Sequence, residues 1–245
     1  MEVIYGRNPV YETLRASKRR IFRLFLSQRA EIKGRLQEIV QLCEEYDIPI
    51  ERVPRQRLDK LADGHQGVGL ETDSYIYSHI SEILNKVKDS EEAAFILILD
   101  TLQDPQNLGT LLRTAEAAGV HGIILPSRRT ATVTPAVVSA SSGASEHLLI
   151  AQANLAQTIT TLKSDAVWVI GLERSPDALP PDRIQLGAPL ALVVGSEAKG
   201  MRPLVRKSCD QLMQLPMRGD IASLNAAVAG SIALYLTLQR RASSN

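Results

Sequence analysis

The sequence predicts an α/β protein in two parts: a small α/β unit, then a larger domain built on a mostly parallel sheet with helices on both faces. Three observations carry this. Apolar runs alternate with stretches of helical periodicity along the second part, as in a parallel sheet wrapped by helices. One run, Phe95 to Leu99 (FILIL), is apolar throughout, as a strand covered on both faces must be. The length, 245 residues, is enough to bury the core of one large domain or of two smaller ones.

Taken in order, Pro9 to Ala16 reads as a short helix and Ile21 to Leu26 (IFRLFL) as a strand. From Glu31 to Tyr46, the residues Ile32, Leu36, Ile39, Val40 and Cys43 recur at helical spacing. Ile48 to Val53 reads as a strand and Gln56 to Ala62 as a short helix. The turn GHQGVG, Gly64 to Gly69, leads into a last strand. Residues 76–92 are polar and read as a linker with at most one helix. The division is therefore 1–75, 76–92 and 93–245. In the last part, strands are expected at Phe95–Leu99, Gly122–Leu125, Val167–Gly171, Leu190–Val194 and Gln211–Leu215. A helix is expected at Leu108–Ala118 and a final one at Ser223–Arg240. The sequence contains neither an internal repeat nor a low-complexity tract.

The composition, 44% hydrophobic and 22% charged, is ordinary for a soluble protein. Aromatics, at 4%, are too few for a protein that holds bases mainly by stacking. The net charge of +1 says nothing of nucleic acid, but the charge is segregated. Arg7, Arg15, Lys18, Arg19, Arg20, Arg23, Arg29, Lys33 and Arg35 stand against Glu2, Glu12 and Glu31. Such an excess either meets phosphates or is a solvated helix end and strand edge. Cys43 and Cys209 have no metal-like spacing and read as reduced thiols. No apolar signal core opens the chain, and Ile221 to Leu238 is too polar and too short to span a membrane. A cytoplasmic protein with no membrane partner is expected.

Three polar loops follow expected strands, where ligands of open parallel sheets bind. The first runs Leu102-Gln103-Asp104-Pro105-Gln106-Asn107-Leu108-Gly109 into a helix bearing Arg113. Asn107 is placed to cap that helix, and Arg113 to reach the same cleft. The second, Gly195-Ser196-Glu197-Ala198-Lys199-Gly200-Met201, suggests close backbone approach to a ligand. It is not a phosphate loop, because Met201 and Arg202 replace the required Lys and Ser/Thr. The third, Pro216 to Asn225, leads into a helix of small residues, AAVAGSIA, with Ser223 as either its cap or a site residue. His65, His79, His121 and His147 lack metal-ligand spacing, so no metal is expected. No G-x-S-x-G elbow and no helix-opening G-x-G-x-x-G are present, which argues against a serine hydrolase and a dinucleotide oxidoreductase.

Together, DPQNLGTLLRTAEAAGV, LVVGSEAKGM and LPMRGDIASLNAAVAGSIALY resemble the three signature motifs of the SpoU/TrmH family of RNA ribose 2′-O-methyltransferases, within the SPOUT class. IYGRNPVYETL and HQGVGLE resemble the substrate-binding domain of its RlmB-like branch, which methylates a guanosine ribose of 23S rRNA. The resemblance implies a SPOUT-type parallel sheet with a C-terminal trefoil knot, preceded by a small L30e-like α/β domain that binds RNA. It implies S-adenosyl-L-methionine as cofactor, RNA as partner, and a homodimer through the catalytic domain with the last helix in the interface. Carried over motif by motif, Gly195, Leu215, Met217 and Leu224 hold the cofactor. Asn107, Arg113, Glu197, Ser223 and Asn225 are the catalytic positions. Two other functions stay open: a methyltransferase acting on a tRNA guanosine, and an RNA-binding protein without activity.

Overall fold

The protein is described by a computed structural model covering residues 1–243 apart from Ala198 and Ala222. Those two belong to the second and third polar loops; they and residues 244–245 lie outside the described residues. The chain forms two compact units. The first is Met1–Ile76 with Thr132–His147, and the second is Tyr77–Ala131 with Leu148 onward.

The first unit holds a four-stranded mixed sheet in the order β1-β4-β2-β3, with β1 Glu2–Tyr5, β2 Ile21–Ser27, β3 Ile50–Val53 and β4 Val68–Thr72. β4 runs antiparallel to β1 and β2, and β3 parallel to β2. Its helices are α1 Arg7–Ala16, α2 Arg35–Glu45 and α3 Arg55–Asp59. Helix α2 starts four residues later than its periodicity suggests. Gly34, at φ +57°, breaks the backbone there and leaves Ile32 exposed. β1 is a short strand that the sequence reading does not contain.

The excursion Thr132–His147 carries α6 Pro135–Ala140 and is tied to this unit by a buried ion pair. The Arg19 guanidinium donates to Glu146 at 2.8 and 2.7 Å and to Glu2 at 3.0 Å. The side chains of Arg19 and Glu146 are each 1% exposed. Burial opposes the charge, but the two carboxylates outweigh it and hold Arg19 above its ordinary pKa. Arg19, one of the nine early cations, is therefore a core residue rather than a phosphate contact.

The second unit is a six-stranded sheet in the order β10-β8-β9-β5-β6-β7, parallel at every pairing. Its strands are β5 Phe95–Leu99, β6 Gly122–Pro126, β7 Ile150–Ala153, β8 Trp168–Leu172, β9 Leu190–Val194 and β10 Gln211–Met213. Every residue of β5, β6 and β9 is buried, which is why they read as continuous apolar runs. Helices α4 Ile80–Asp89, α5 Pro105–Ala117, α7 Leu155–Ser164, α8 Pro203–Ser208 and α9 Ala226–Ala242 complete it. The stretch 76–92, expected as a linker, supplies α4, and its Ile83 is fully buried in the sheet's core. The small residues of α9 let helices meet closely. A Cβ on Gly230 would lie 2.6 Å from Leu111 of α5 and 3.2 Å from Val194 of β9.

Two outcomes follow. Glu146→Ala leaves Arg19 buried and half-paired, so guanidinium titration should show the stability of the first unit falling by roughly 3–5 kcal/mol; a loss under about 1 kcal/mol would deny the pair that role. His121, 4% exposed, accepts the Phe95 amide on Nδ1, and burial pushes its pKa below the ordinary 6.5. The unfolded chain therefore gains a proton as pH falls through about 6.5 and the folded one does not. Stability should decline from pH 7 downward, at up to ~1.4 kcal/mol per pH unit for this group, and His121→Asn should flatten that slope.

Candidate active site

Strand register gathers the site. Leu99 lies beside Val194, Val194 beside Leu172, and Leu172 beside Met213, so the carboxyl ends of β5, β9, β8 and β10 form one edge. The loops after them share that edge, where the strand order changes direction.

In the first loop the helix cap is Asp104 and not Asn107. Asp104 accepts from the amides of Gln106 and Asn107 at 3.1 and 3.3 Å, and Pro105 opens α5 with its fixed φ. This leaves the Asn107 side chain available for longer-range contacts. Its Nδ2 donates to Glu197 at 3.4 Å, and its Oδ1 accepts from Asn225 Nδ2 at 3.1 Å. Asn225 Nδ2 also lies 3.3 Å from the other Glu197 oxygen. Asn225 Oδ1 caps α9 through the amides of Ala227 and Val228, at 2.9 and 3.2 Å. That is the cap the sequence reading offered to Ser223. One residue from each loop thus meets in a hydrogen-bonded triangle: Asn107, Glu197 and Asn225.

The second loop folds on itself. Ser196 and Gly200 exchange backbone hydrogen bonds of 3.0 and 2.8 Å. A Cβ on Gly195 would stand 2.3 Å from the Gly200 carbonyl carbon, so only glycine fits. The close approach that its glycine announces is first of all that of its own backbone. A residue the sequence reading passed over holds this loop down. Asp100, fully buried at the end of β5, accepts from the Arg202 amide and from Arg202 Nε, both at 2.7 Å. An Asp after a strand reads as an ordinary strand end, and its partner is 102 residues away.

Beneath the triangle opens a cleft of about 190 Å³, walled by the ends of β8, β9 and β10 and by Gly195, Leu215, Met217 and Leu224. Glu173, Arg174, Ser196, Glu197, Gln214 and Ser223 supply its polar side chains. Among the described residues, the main-chain amides of Leu215, Met217 and Leu224 donate to no backbone carbonyl or side chain, which leaves them open to a ligand or solvent. Such a slot suits a flat heterocycle held by packing and a few backbone contacts. Arg113 stands exposed on α5, outside the cleft lining. Neither cysteine serves as a nucleophile, since burial pushes both thiols up to about 12. Among the described residues no three His, Cys, Asp or Glu side chains are grouped to hold a metal, and no helix is long and apolar enough to cross a membrane.

A parallel sheet whose carboxyl edge gathers polar loops over an apolar slot defines a ligand-binding α/β architecture of the SPOUT methyltransferase type. The chain belongs to the SpoU rRNA Methylase family, whose model matches residues 94–235. The model for RNA 2′-O ribose methyltransferase substrate binding matches residues 3–78. YacO of Bacillus subtilis, assigned to the TrmH family of tRNA/rRNA methyltransferases, is 41% identical over 98% of this chain and 96% of its own. The SpoU methyltransferase AviRb of Streptomyces viridochromogenes, solved with AdoMet, superposes with a TM-score of 0.82. It is 20% identical, over 98% of this chain and 90% of its own. An AdoMet-bound rRNA methyltransferase of Sinorhizobium meliloti superposes at 0.78, with 24% identity over 97% and 87%.

Gly195→Ala should destabilise the second unit by about 1–3 kcal/mol through overpacking. Gly219→Ala, where an added Cβ meets nothing within 4 Å, should change little. Parallel denaturant titrations check this, and equal midpoints for the two variants would contradict the loop's closure.

Proposed function

We propose that the chain moves a methyl group from S-adenosylmethionine to a ribose 2′-hydroxyl of RNA, and that the target is a guanosine of 23S rRNA. The triangle of Asn107, Glu197 and Asn225 over the apolar slot carries the reading. It brings one polar residue from each motif to the mouth of a cleft fit for an adenosine. Membership of an RNA methylase family, a substrate-binding unit and the AdoMet held by AviRb support it.

The cofactor is held by Gly195, Leu215, Met217 and Leu224, through apolar contact and main-chain amides. When bound, it supplies a methyl carbon made electrophilic by a sulfonium. The remaining task is to align the 2′-hydroxyl and manage its proton. A guanidinium offers N–H donors and no acceptor, so Arg113 is given no role as the base. It clamps a substrate phosphate and stabilises the alkoxide as it develops, while a phosphate oxygen or water takes the proton. Asn107, Glu197 and Asn225 hold the three loops in register around the acceptor. Ser223, exposed at the cleft, orients the ribose.

The same reading gives a C-terminal trefoil threading, a cytoplasmic location and a homodimer through α9. Leu224, Val228, Ile232 and Tyr235 form an exposed apolar stripe at helical spacing on and just before that helix. A second copy's α9 would cover it.

Arg113→Ala should lower methyl transfer a hundredfold or more, while adenosylmethionine affinity by calorimetry stays within about twofold. Stability should fall by no more than roughly 1 kcal/mol, as for an exposed side chain. Arg113→Lys should not restore the rate, because an ammonium lacks the planar fork. Labelled methyl transfer to 23S rRNA and to tRNA reads this out. Near wild-type turnover in Arg113→Ala would remove the residue from the mechanism, and preferential labelling of tRNA would reassign the substrate.

A further inference from the structure

We propose that Glu173 is a cofactor-binding residue: its carboxylate accepts from a ribose hydroxyl of the adenosine, and Arg206 positions it for that contact. The inference rests on the reading of S-adenosylmethionine as cofactor. It adds a residue outside the three sequence motifs and gives the cofactor's sugar a partner of its own.

Glu173 follows the last residue of β8, the strand that lies between β9 and β10. Its amide donates to the Met213 carbonyl at 3.0 Å, continuing the β8–β10 ladder past the end of β8. Glu173 therefore stands between the loop after β9, with Gly195 and Gly200, and the loop after β10, with Leu215 and Met217, and it lines the cleft with them. Its side chain is only 24% exposed, and a carboxylate so far withdrawn from water needs a partner. Arg206 of α8 supplies one, its Nε donating to Oε1 at 2.6 Å. Arg206 is fixed in turn by Asp177, whose two oxygens accept from Nη2 at 3.1 and 3.2 Å. The second Glu173 oxygen, Oε2, has no hydrogen-bond partner among the described residues. A Cβ on Gly200 would stand 3.6 Å from it, so glycine there, at φ +64°, leaves that side of the oxygen uncovered.

An adenosine makes two demands on such a cleft. Its base is met by apolar packing and by the open amides of Leu215, Met217 and Leu224. Its ribose brings two hydroxyl donors, and an ionised oxygen is the strongest acceptor a side chain can offer them. Acceptors are scarce among the described lining residues. Both oxygens of Glu197 accept from asparagine amides, Oε2 from Asn107 and Oε1 from Asn225. The Ser196 hydroxyl donates to the Gly200 carbonyl and accepts from the Lys199 amide, within its own loop. Glu173 Oε2 is the carboxylate oxygen left over. Arg206 balances the charge of that carboxylate from its other oxygen, which suits a neutral hydroxyl better than a cation. In dinucleotide-binding sheets an acid takes a ribose hydroxyl by the same chemistry. Here the strand end fixes the height of the carboxylate, and Arg206 fixes its rotation.

The test is a calorimetric cycle on the full chain with S-adenosylhomocysteine and its 2′-deoxy and 3′-deoxy forms. At least one deoxy form should bind the wild type about tenfold more weakly, as when a hydrogen bond to a charged group is lost. Glu173→Ala should weaken S-adenosylhomocysteine by the same factor and that deoxy form by less than about twofold, because the contact is already missing. Arg206→Gln, which releases the carboxylate, should weaken S-adenosylhomocysteine about threefold and spare the deoxy form. Thermal melting checks that the variants fold. Glu173→Gln keeps the shape of the side chain with a weaker, uncharged acceptor; it should lose about threefold on the same ligand and carries the cycle if the alanine variant is unfolded. Equal losses on ribose and deoxy ligands would make Glu173 a structural tie between β8 and α8. A loss on S-adenosylmethionine that S-adenosylhomocysteine does not share would mean that the carboxylate meets the sulfonium charge. Either result, or unchanged affinity in Glu173→Ala, would overturn the proposal. The two readings fail separately. Unchanged affinity in Glu173→Ala beside normal methyl transfer by the wild type refutes the assignment of Glu173 alone. A ribose dependence that vanishes with Glu173, in a chain that methylates no RNA, refutes the enzymatic reading alone.

Discussion

The candidate site depends on β9 lying between β8 and β5. With β9 in that place, Val194 is flanked by Leu172 on one side and Leu99 on the other, and the loops behind all three strands open on one edge. Parallel strands make this possible, since each carboxyl end faces the same way. The geometry then has to be kept, because a loop of glycine and polar residues has little packing of its own. Asp100 supplies the restraint. A carboxylate with no exposure is costly unless it is fully paired, and here the amide and guanidinium of Arg202 pair it. Gly195 can then turn flush against Gly200, and Glu197 reaches the two asparagines.

The two units divide the work by the character of their polar groups. In the second, hydrogen bonds of moderate length join neutral amides to one carboxylate at the surface. In the first, the buried contact is a doubly hydrogen-bonded ion pair that fixes the excursion Thr132–His147 in one arrangement. Buried pairs of this kind are poor net stabilisers, but losing one partner is expensive, so they specify a single packing. At the loop end of that unit the pairs Lys33–Glu31 and Arg55–Asp59 are exposed instead.

Much of this was legible in the sequence, for identifiable reasons. The fully buried strands β5 and β9 declared themselves as apolar runs, and β9 occupies the predicted residues Leu190–Val194. β1 and β7 were not legible. Each has four residues, half-buried at several of them, so neither shows a run or a clean alternation. The three loops were recognisable, but their internal duties were not. Asn107 resembled a cap because it stands near a helix start, whereas Asp104 before Pro105 is the better-placed acceptor. Ser223 lost the same role to Asn225, two residues nearer the helix. Asp100 and Arg19 were illegible for one reason: each is defined by a partner more than a hundred residues distant, and nothing local distinguishes them from surface charges. Charge counting failed for the same reason, since it cannot tell a cation buried on a carboxylate, as Arg19 is on Glu146, from one held at the surface.

The central claim is that this chain places a methyl group on an RNA ribose. Mapping 2′-O-methylation by mass spectrometry, in 23S rRNA and tRNA from cells with and without the gene, tests it most directly. The account predicts one ribose methyl missing from a 23S rRNA guanosine in the deletion strain. That methyl should return with the wild-type gene and not with the Arg113→Ala variant. Identical ribose methylation in both RNA pools, with and without the gene, would contradict it.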